Sequence, residues 1–278
     1  MEEGFKMKVL VYTGGLGNQL FCYAFTQYLR NKYPKVHIYG VYNRTKLNEH
    51  FGLEINRWFD VDLPKEKWYA SLLAYCLYAV KKTTSWTGLL DLNQGDIVNP
   101  KAIVGWAFRP LEKYIPTTDW IHWKVKDNDL SEKNRTIVKE MLNSESIFLH
   151  VRRGDYLSPR YKQLFEGCCG IDYYQKAIAY IKEEVNNPKF FVFSDDIEWT
   201  KNNIPLDNPT YIDWNHNEDS PYDMYLMSHC KYAIIANSTF SYWGARLGNK
   251  KRIVTYPSKW FNPPEKVSDM FPQDWIKL

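Results

Sequence analysis

The sequence of 278 residues has no apolar run long enough to span a bilayer. Its longest, Tyr69–Val80, is about twelve residues where roughly twenty are needed, so no membrane span is expected, and the stretch reads as a core helix or a peripheral membrane contact. It also lacks a cysteine pattern. Cys22, Cys76, Cys168, Cys169 and Cys230 are odd in number and show neither a CxxC pair nor metal-ligand spacing, which argues against a disulfide scaffold and for reduced thiols in a cytoplasmic protein. Glu2 and Glu3 stand where a secretory leader needs positive charge, so none is expected. Internal repeats, low-complexity segments and a Walker A motif are absent. Charge of one sign is scarce too: the net charge is +4 and the basic residues are scattered. That gives no support to a nucleic-acid partner and suits a smaller anion such as a nucleotide diphosphate.

Aromatics are abundant: 11 Trp, 21 Tyr and 14 Phe make up 17% of the chain. Aromatic faces can stack on the C–H faces of sugars, although most rings in any protein fill the core. The length suits two modest domains. Lys8–Tyr12 reads as a buried strand, Thr13–Asn18 as a glycine-rich turn, Gln19–Lys32 as a helix and Val36–Tyr42 as a second strand, a βαβ opening that argues for an α/β domain with a parallel sheet. From Asn43 to Lys124 the pattern supports only a helix over Lys67–Lys82 and a strand over Ala102–Phe108.

Alternation resumes with a helix over Ser131–Leu142, a strand over Ile147–Val151, a helix over Asp172–Val185 and a strand over Phe190–Phe193. Thr210–Ile212 reads as a strand. Ser220 and Pro221 open a helix to about Lys231 in N-cap then N1 order. A strand over Tyr232–Ala236, a helix over Phe240–Leu247 and a strand over Arg252–Tyr256 follow. The reading divides the chain into an N-terminal acceptor-side domain (1–130), a C-terminal nucleotide-binding domain (131–260) and a tail (261–278) that packs back on the N-terminal domain.

Open α/β sheets bind ligands beyond the carboxyl ends of their strands. Four successive strands of the second half run into His150, Arg152, Arg153 and Asp155; into Ser194, Asp195 and Asp196; into Asp213; and into Asn237, Ser238 and Thr239. Arginine grips phosphate through a planar fork of donors and keeps its proton, and a helix start at Ser238 and Thr239 offers free N–H groups to an anion. Carboxylates cannot hold phosphate but can accept from the guanine N1–H, its amino group or ribose hydroxyls. Each cluster also has a plainer reading, as an ion-pair network around the arginines or as N-caps at Asp196 and Ser238. Their joint placement at neighbouring strand ends favours a nucleotide-diphosphate site.

Four segments, GGLGNQLFCYAF, HVRRGDY, FSDDIEW and MSHCKYAIIANSTFSYWGARL, together resemble the α-1,2-fucosyltransferases of glycosyltransferase family 11, in order and spacing from Gly14 to about Pro257. The resemblance implies a GT-B-like architecture of two Rossmann-like domains with a cleft between them, a GDP-β-L-fucose donor, a galactose-terminated oligosaccharide or glycolipid acceptor, inversion to an α-1,2 linkage, and no obligatory metal or other cofactor. It places His150 and Asp213 near guanine, Arg152 on the β-phosphate, Ser238 and Thr239 on the diphosphate, and Asp195 and Asp196 around the nucleoside. Gly14, Gly15, Gly17, Asn18 and Gln19 match its loop facing donor and acceptor. Tyr242 stands before Trp243 where a second Trp is common.

Competing signatures are weaker. Gly15, Gly17 and Leu20 fill the GxGxxG positions without the third glycine, and no acid follows the second strand as a dinucleotide site requires. The DxD triplets Asp60–Val61–Asp62 and Asp127–Asn128–Asp129 follow no convincing sheet strand. Candidates for a general base include Asp155 and an acid of the N-terminal half, between which no spacing chooses, and the favoured role for Asp155 is to hold Arg152 or Arg153 in place. A different class, a non-catalytic nucleotide-sugar or glycan-binding protein, would show no GDP release on addition of a galactoside.

Overall fold

A computed structural model describes residues 7–42, 52–83, 90–91, 104–105, 112–115, 117–248, 251–262 and 270–278. The chain divides into two compact units, residues 1–124 and 125–278.

In the first unit β1 (Met7–Tyr12) leads into α1 (Leu16–Lys32) and β2 (His37–Tyr42). Then come α2 (Ile55–Trp58), β3 (Phe59–Asp60), α3 (Trp68–Thr83), β4 (Leu90–Asp91), β5 (Val104–Gly105) and β6 (His122–Trp123). The sheet order is β2-β1-β5-β4 with parallel pairing throughout, while β3 and β6 form a separate antiparallel pair. A parallel sheet is covered on both faces, and Val9, Leu10, Val11 and Tyr12 in succession are buried. Helix α3 lays Ala70 and Ala74 against Val9, Val11, Val41 and Val104, while Trp68, Leu72 and Tyr75 on its other side are exposed. Among the described residues no helix is long and apolar enough to cross a membrane. Of the strand expected over Ala102–Phe108, only Val104 and Gly105 are described, and Met1–Lys6 lie outside the described residues.

Helix α1 begins three residues earlier than its apolar pattern indicates. The amides of Asn18 and Gln19 both bond to the Gly15 carbonyl, at 3.0 and 3.2 Å, so Gly17, Asn18 and Gln19 belong to the first turn. Gly15 is an N-cap with no side chain to cap with, which is why the glycine pair reads as loop. Gly14 has φ +74, and a Cβ there would lie 2.4 Å from Asn18 Nδ2, so the turn requires glycine.

The second unit contains α4 (Glu132–Leu142), β7 (Ser146–Val151), α5 (Lys162–Phe165), α6 (Ile171–Glu184), β8 (Lys189–Ser194), α7 (Ile197–Asn203), β9 (Thr210–Ile212), α8 (Pro221–His229), β10 (Tyr232–Ile234), α9 (Thr239–Arg246), β11 (Ile253–Tyr256) and β12 (Ile276–Lys277). Its sheet runs β12-β11-β10-β7-β8-β9, all parallel. Element ends fall within a residue or two of the pattern because buried β-branched and aromatic runs alternate cleanly with amphipathic helices. Tyr174, Ala177, Ile178 and Ile181 of α6 pack on Ile147, Leu149, Val192 and Ile234 of the strands.

The described end of the tail belongs to the sheet of the second unit: Ile276 and Lys277 pair with Thr255 and Tyr256 as the edge strand β12, and Phe271 stacks on Tyr256 with ring centroids 3.9 Å apart. Two residues are too short for a strand pattern, and aromatic burial decides the tail's place. Ser220 and Pro221 take the N-cap and N1 places expected of them, but Ser220 makes no side-chain cap bond. Its φ and ψ of −54 and −30 are already helical, and the 3-10 turn Asn217–Asp219 runs straight into α8.

Candidate functional site

The chain builds outward from β7 to β8 and β9, then returns to place β10 on the other side of β7. Such a reversal opens a crevice beyond the carboxyl ends of the two strands where it occurs. The residues after β7 and β10 are the HVRRGDY and ANSTFS segments. They are joined directly: the Tyr156 hydroxyl donates to the Asn237 carbonyl at 3.0 Å, and the His150 and Phe240 rings lie 6.1 Å apart.

Arg152 is held from two sides, by Asp155 at 2.8 Å and Asp195 at 3.1 Å. Burial works against its charge, but Asp195 and Asp155 outweigh this and raise its pKa. Arg153 pairs through Nε with Asp196 at 3.2 Å, lies with its guanidinium carbon 3.6 Å from the Trp199 ring centroid, and donates its backbone N–H to Asp195 at 2.8 Å. Gly154 completes the turn, because a Cβ there would meet Asp195 Oδ2 at 2.6 Å. The arginine cluster therefore contains the ion pairs of its plainer reading. Asp155 sits on the Arg152 guanidinium and orients it. Each guanidinium has five N–H donors, so these contacts aim Arg152 while leaving donors for an anion.

His150 is 6% exposed, and its Nδ1 has no hydrogen-bond partner among the described residues. Burial, aided by the positive charge of Arg152, pushes its pKa down to about 3. The ring is thus neutral at physiological pH, with one donor and one acceptor nitrogen. Tyr174 fixes this strand end by donating to the His150 carbonyl at 3.1 Å. Asn237, 1% exposed, donates its amide to the Trp260 carbonyl at 3.1 Å and leaves Oδ1 without a partner among the described residues. Ser238 caps α9, its Oγ accepting from the Phe240 amide at 3.3 Å, and Thr239 opens the helix.

The other expected residues separate into two groups. Ser194 Oγ accepts from the Asp196 amide at 2.9 Å, and Asp196 caps α7 by accepting from the Trp199 amide at 3.2 Å, so both build the turn after β8. Asp213 is exposed one residue past β9. In the first unit Gln19 turns inward: it is 1% exposed, donates to the Gly14 and Gly52 carbonyls and accepts from the Glu54 and Ile55 amides, which uses its whole amide. The residues missed by sequence are Tyr156, Tyr174, Trp199 and Trp260, whose ties to the site depend on tertiary contact. Tyr156, inside HVRRGDY, and Trp199, inside FSDDIEW, carried a local signal. Among the described residues no group of three or more His, Cys, Asp or Glu could hold a metal ion. Of the DxD residues, Asp129 accepts from the Lys126 amide and Asp62 pairs with Arg30.

Residues 112–278 match glycosyl transferase family 11. The O-antigen biosynthesis glycosyltransferase WbnK of Escherichia coli is 41% identical over 154 residues, 54% of this chain and 49% of that protein. The alpha-1,2-colitosyltransferase of Escherichia coli is 44% identical over 142 residues, 49% of this chain and 48% of that protein. The chain thus spans about half the length of the curated relatives it matches. Among solved structures, the glycosyl transferase family 9 protein of Veillonella parvula DSM 2008 aligns with a TM-score of 0.50 at 13% identity, covering 100% of this chain and 88% of that one. At that identity the likeness concerns the fold, which is α/β and GT-B-like.

Proposed function

The chain belongs to glycosyl transferase family 11, and from that premise we propose that this nucleotide-sugar-dependent glycosyltransferase moves L-fucose from GDP-β-L-fucose to the 2-hydroxyl of a terminal β-galactoside with inversion. The observation that carries the reading is the meeting of Arg152, neutral His150 and the start of α9 at the strand reversal between β7 and β10. As the bond from the anomeric carbon to the diphosphate breaks, negative charge grows on the leaving oxygen. Arg152, aimed by Asp155 and Asp195, and the N-terminus of α9 at Thr239 supply fixed positive charge there, and donors preorganised for developing charge lower the barrier. His150 offers a neutral donor and acceptor to the nucleoside, and Asp213 an acceptor to the guanine donors. Asp155, committed to Arg152, serves as a positioning residue in this scheme. The glycine loop at Gly14, Gly15, Gly17 and Asn18 is assigned to facing donor and acceptor, and arginine with helix charge takes the place of a metal.

A second donor is favoured by the name of the 44% identical relative. Colitose is L-fucose without its 3-hydroxyl, so both donors present the same diphosphate and the same leaving group. Incubating the protein with GDP-fucose, GDP-colitose, GDP-mannose or UDP-galactose and a panel of galactosides, in EDTA and in Mn²⁺, and reading products by mass spectrometry and NMR tests the whole reading. The expected result is galactoside-dependent transfer of a GDP-linked 6-deoxy sugar, an α-1,2 linkage, and most activity retained in EDTA. GDP-linked donors left intact with every acceptor would overturn it.

A further inference from the structure

Away from the arginine cluster, the same edge of the sheet carries a second polar assembly. Asn134 is the third residue of α4 and Asp223 the third of α8, and both helices start on the side where the strands end. Asn215 lies between them, three residues past β9. Asn134 Nδ2 donates to Asn215 Oδ1 at 3.0 Å, and Asn215 Nδ2 donates both to Asn134 Oδ1 at 3.2 Å and to Asp223 Oδ1 at 2.8 Å. The Trp214 indole N–H joins at Asn134 Oδ1, at 2.7 Å. An indole can only donate and a carboxylate oxygen accepts, so the two amides have one consistent orientation between them. Asn134 and Asn215 are buried, where an amide is tolerated only with its bonds made.

The assembly holds a segment that would otherwise be loosely placed. Strand β9 is three residues long, lies at the sheet edge and, among the described residues, pairs only with β8. Its end, Asp213–Asn215, is tied by side chains to the starts of two helices instead of to a strand. The Tyr222 hydroxyl adds a tie from α8 to the Asp129 carbonyl, at 3.1 Å. Apolar packing would anchor this loop as firmly, but it would not select one conformation so sharply.

We propose that Asn134, Asn215 and Asp223 are positioning residues that lock the Asp213–Trp214 segment in the conformation that reads the donor nucleoside. The inference rests on the guanosine-nucleotide reading above and goes beyond it by assigning the residues that set selectivity without touching the nucleotide. They act through Asp213, so their removal matters only while Asp213 is present.

The test is a double-mutant cycle. GDP and ADP binding by calorimetry, donor KM and kcat, and melting temperature are measured for the parent, Asn215→Ala, Trp214→Phe and Asp213→Ala, and for each of the first two combined with the third. Asn215→Ala should weaken GDP binding about tenfold, shrink the GDP over ADP preference and raise donor KM, with kcat at saturating donor within about twofold of the parent; in the Asp213→Ala background it should cost less than about twofold. Trp214→Phe removes one tether, keeps the ring and should show the same pattern at smaller size, which covers an Asn215→Ala protein that fails to fold. Equal losses in both backgrounds, or parental GDP affinity in both tether variants, would overturn the lock alone. A parent that binds ADP as tightly as GDP would overturn the guanosine reading and the lock with it.

Discussion

At the amino end of the C-terminal sheet, Glu145 just before β7, Lys231 just before β10 and Arg252 just before β11 meet in one cluster. Tyr232 joins it, so Glu145 accepts three side-chain bonds between 2.7 and 2.9 Å, and these bonds, that from Lys231 foremost, hold its pKa below the usual carboxylate range. At the carboxyl end two arginines and three aspartates also pair, yet His150 Nδ1 and Asn237 Oδ1 stay buried with no partner among the described residues. Both clusters would read as surface ion pairs in a sequence. A polar atom buried without a bond costs on the order of 1 to 3 kcal/mol, and of these two clusters the one at the carboxyl end holds such atoms, at His150 and Asn237. This difference in completed bonding is what the proposed nucleotide site rests on, and it can be tested at either end.

Breaking the carboxyl-end cluster at its centre should have the largest effect. Arg152→Lys keeps the positive charge and removes the fork, and loss of one preorganised donor typically costs about a hundredfold to a thousandfold in kcat. The expected melting temperature is near the parent's. A destabilised protein with near-parental kcat, measured on the same preparation, would make this cluster equivalent to the one at Glu145. Asp213→Ala comes next. It should weaken GDP binding by about 1.5 to 3 kcal/mol, or roughly ten- to hundredfold, and relax the preference for guanine. Calorimetry showing parental affinity would remove Asp213 from the nucleoside.

The comparison is sharpened by pH, because the two desolvated groups on the ligand side titrate in opposite senses. His150 is held down to about 3 by burial and then Arg152, against about 6.5 in an unfolded chain. The stability it contributes is full above pH 6.5 and falls as pH drops toward 3. Asp223 is raised to about 7 by burial, partly opposed by the Asn215 bond. Its contribution is full below about pH 3.9, the unfolded value, and falls as pH rises toward 7. Each alone gives a slope of up to roughly 1.4 kcal/mol per pH unit, so between about pH 4 and 6.5 they offset one another. Denaturant unfolding of His150→Asn should therefore lose stability with rising pH in that window, and of Asp223→Leu with falling pH. Parallel profiles for parent and both variants would show that neither group is desolvated as the fold indicates.

How much of this was legible in the sequence differs between the units for a physical reason. In unit 2, runs such as Ile147–Val151 are apolar because the strand is covered on both faces, and Ser131 caps α4 through a bond to the Asn134 amide, so pattern and local chemistry agree. The strand ends that carry His150, Arg152 and Asn237 could be located from that alternation alone. What could not be read was which polar groups were already spent. The roles of Ser194, Asp196 and Gln19 follow from bonds to residues whose approach only the folded chain defines. Glycine hid the start of α1, since Gly15 has no capping side chain to signal a helix, and β12 was hidden by its brevity.

The smallest expected effect is at the amino end, and it is the control on which the comparison depends. Glu145 is partly exposed, and its partner Arg252 is well exposed, so solvent screening keeps these pairs weak. Glu145→Gln keeps the shape and an acceptor oxygen for Tyr232 while removing the charge. Lys231 and Arg252 then lose their counter-charge, but both retain access to water, so no ion is left buried and alone. The expected outcome is a melting temperature lowered by a few degrees at most, with GDP affinity and kcat at the parent's values. Charge also sets the distinction from the other end: removing Glu145 adds one positive unit far along the strands from Arg152, a distance over which salt screens the field, since the Debye length is about 8 Å at physiological ionic strength. A large fall in kcat for Glu145→Gln without a fall in stability would mean that the two ends are coupled through the strands, and that completeness of bonding does not separate scaffold from site in this sheet.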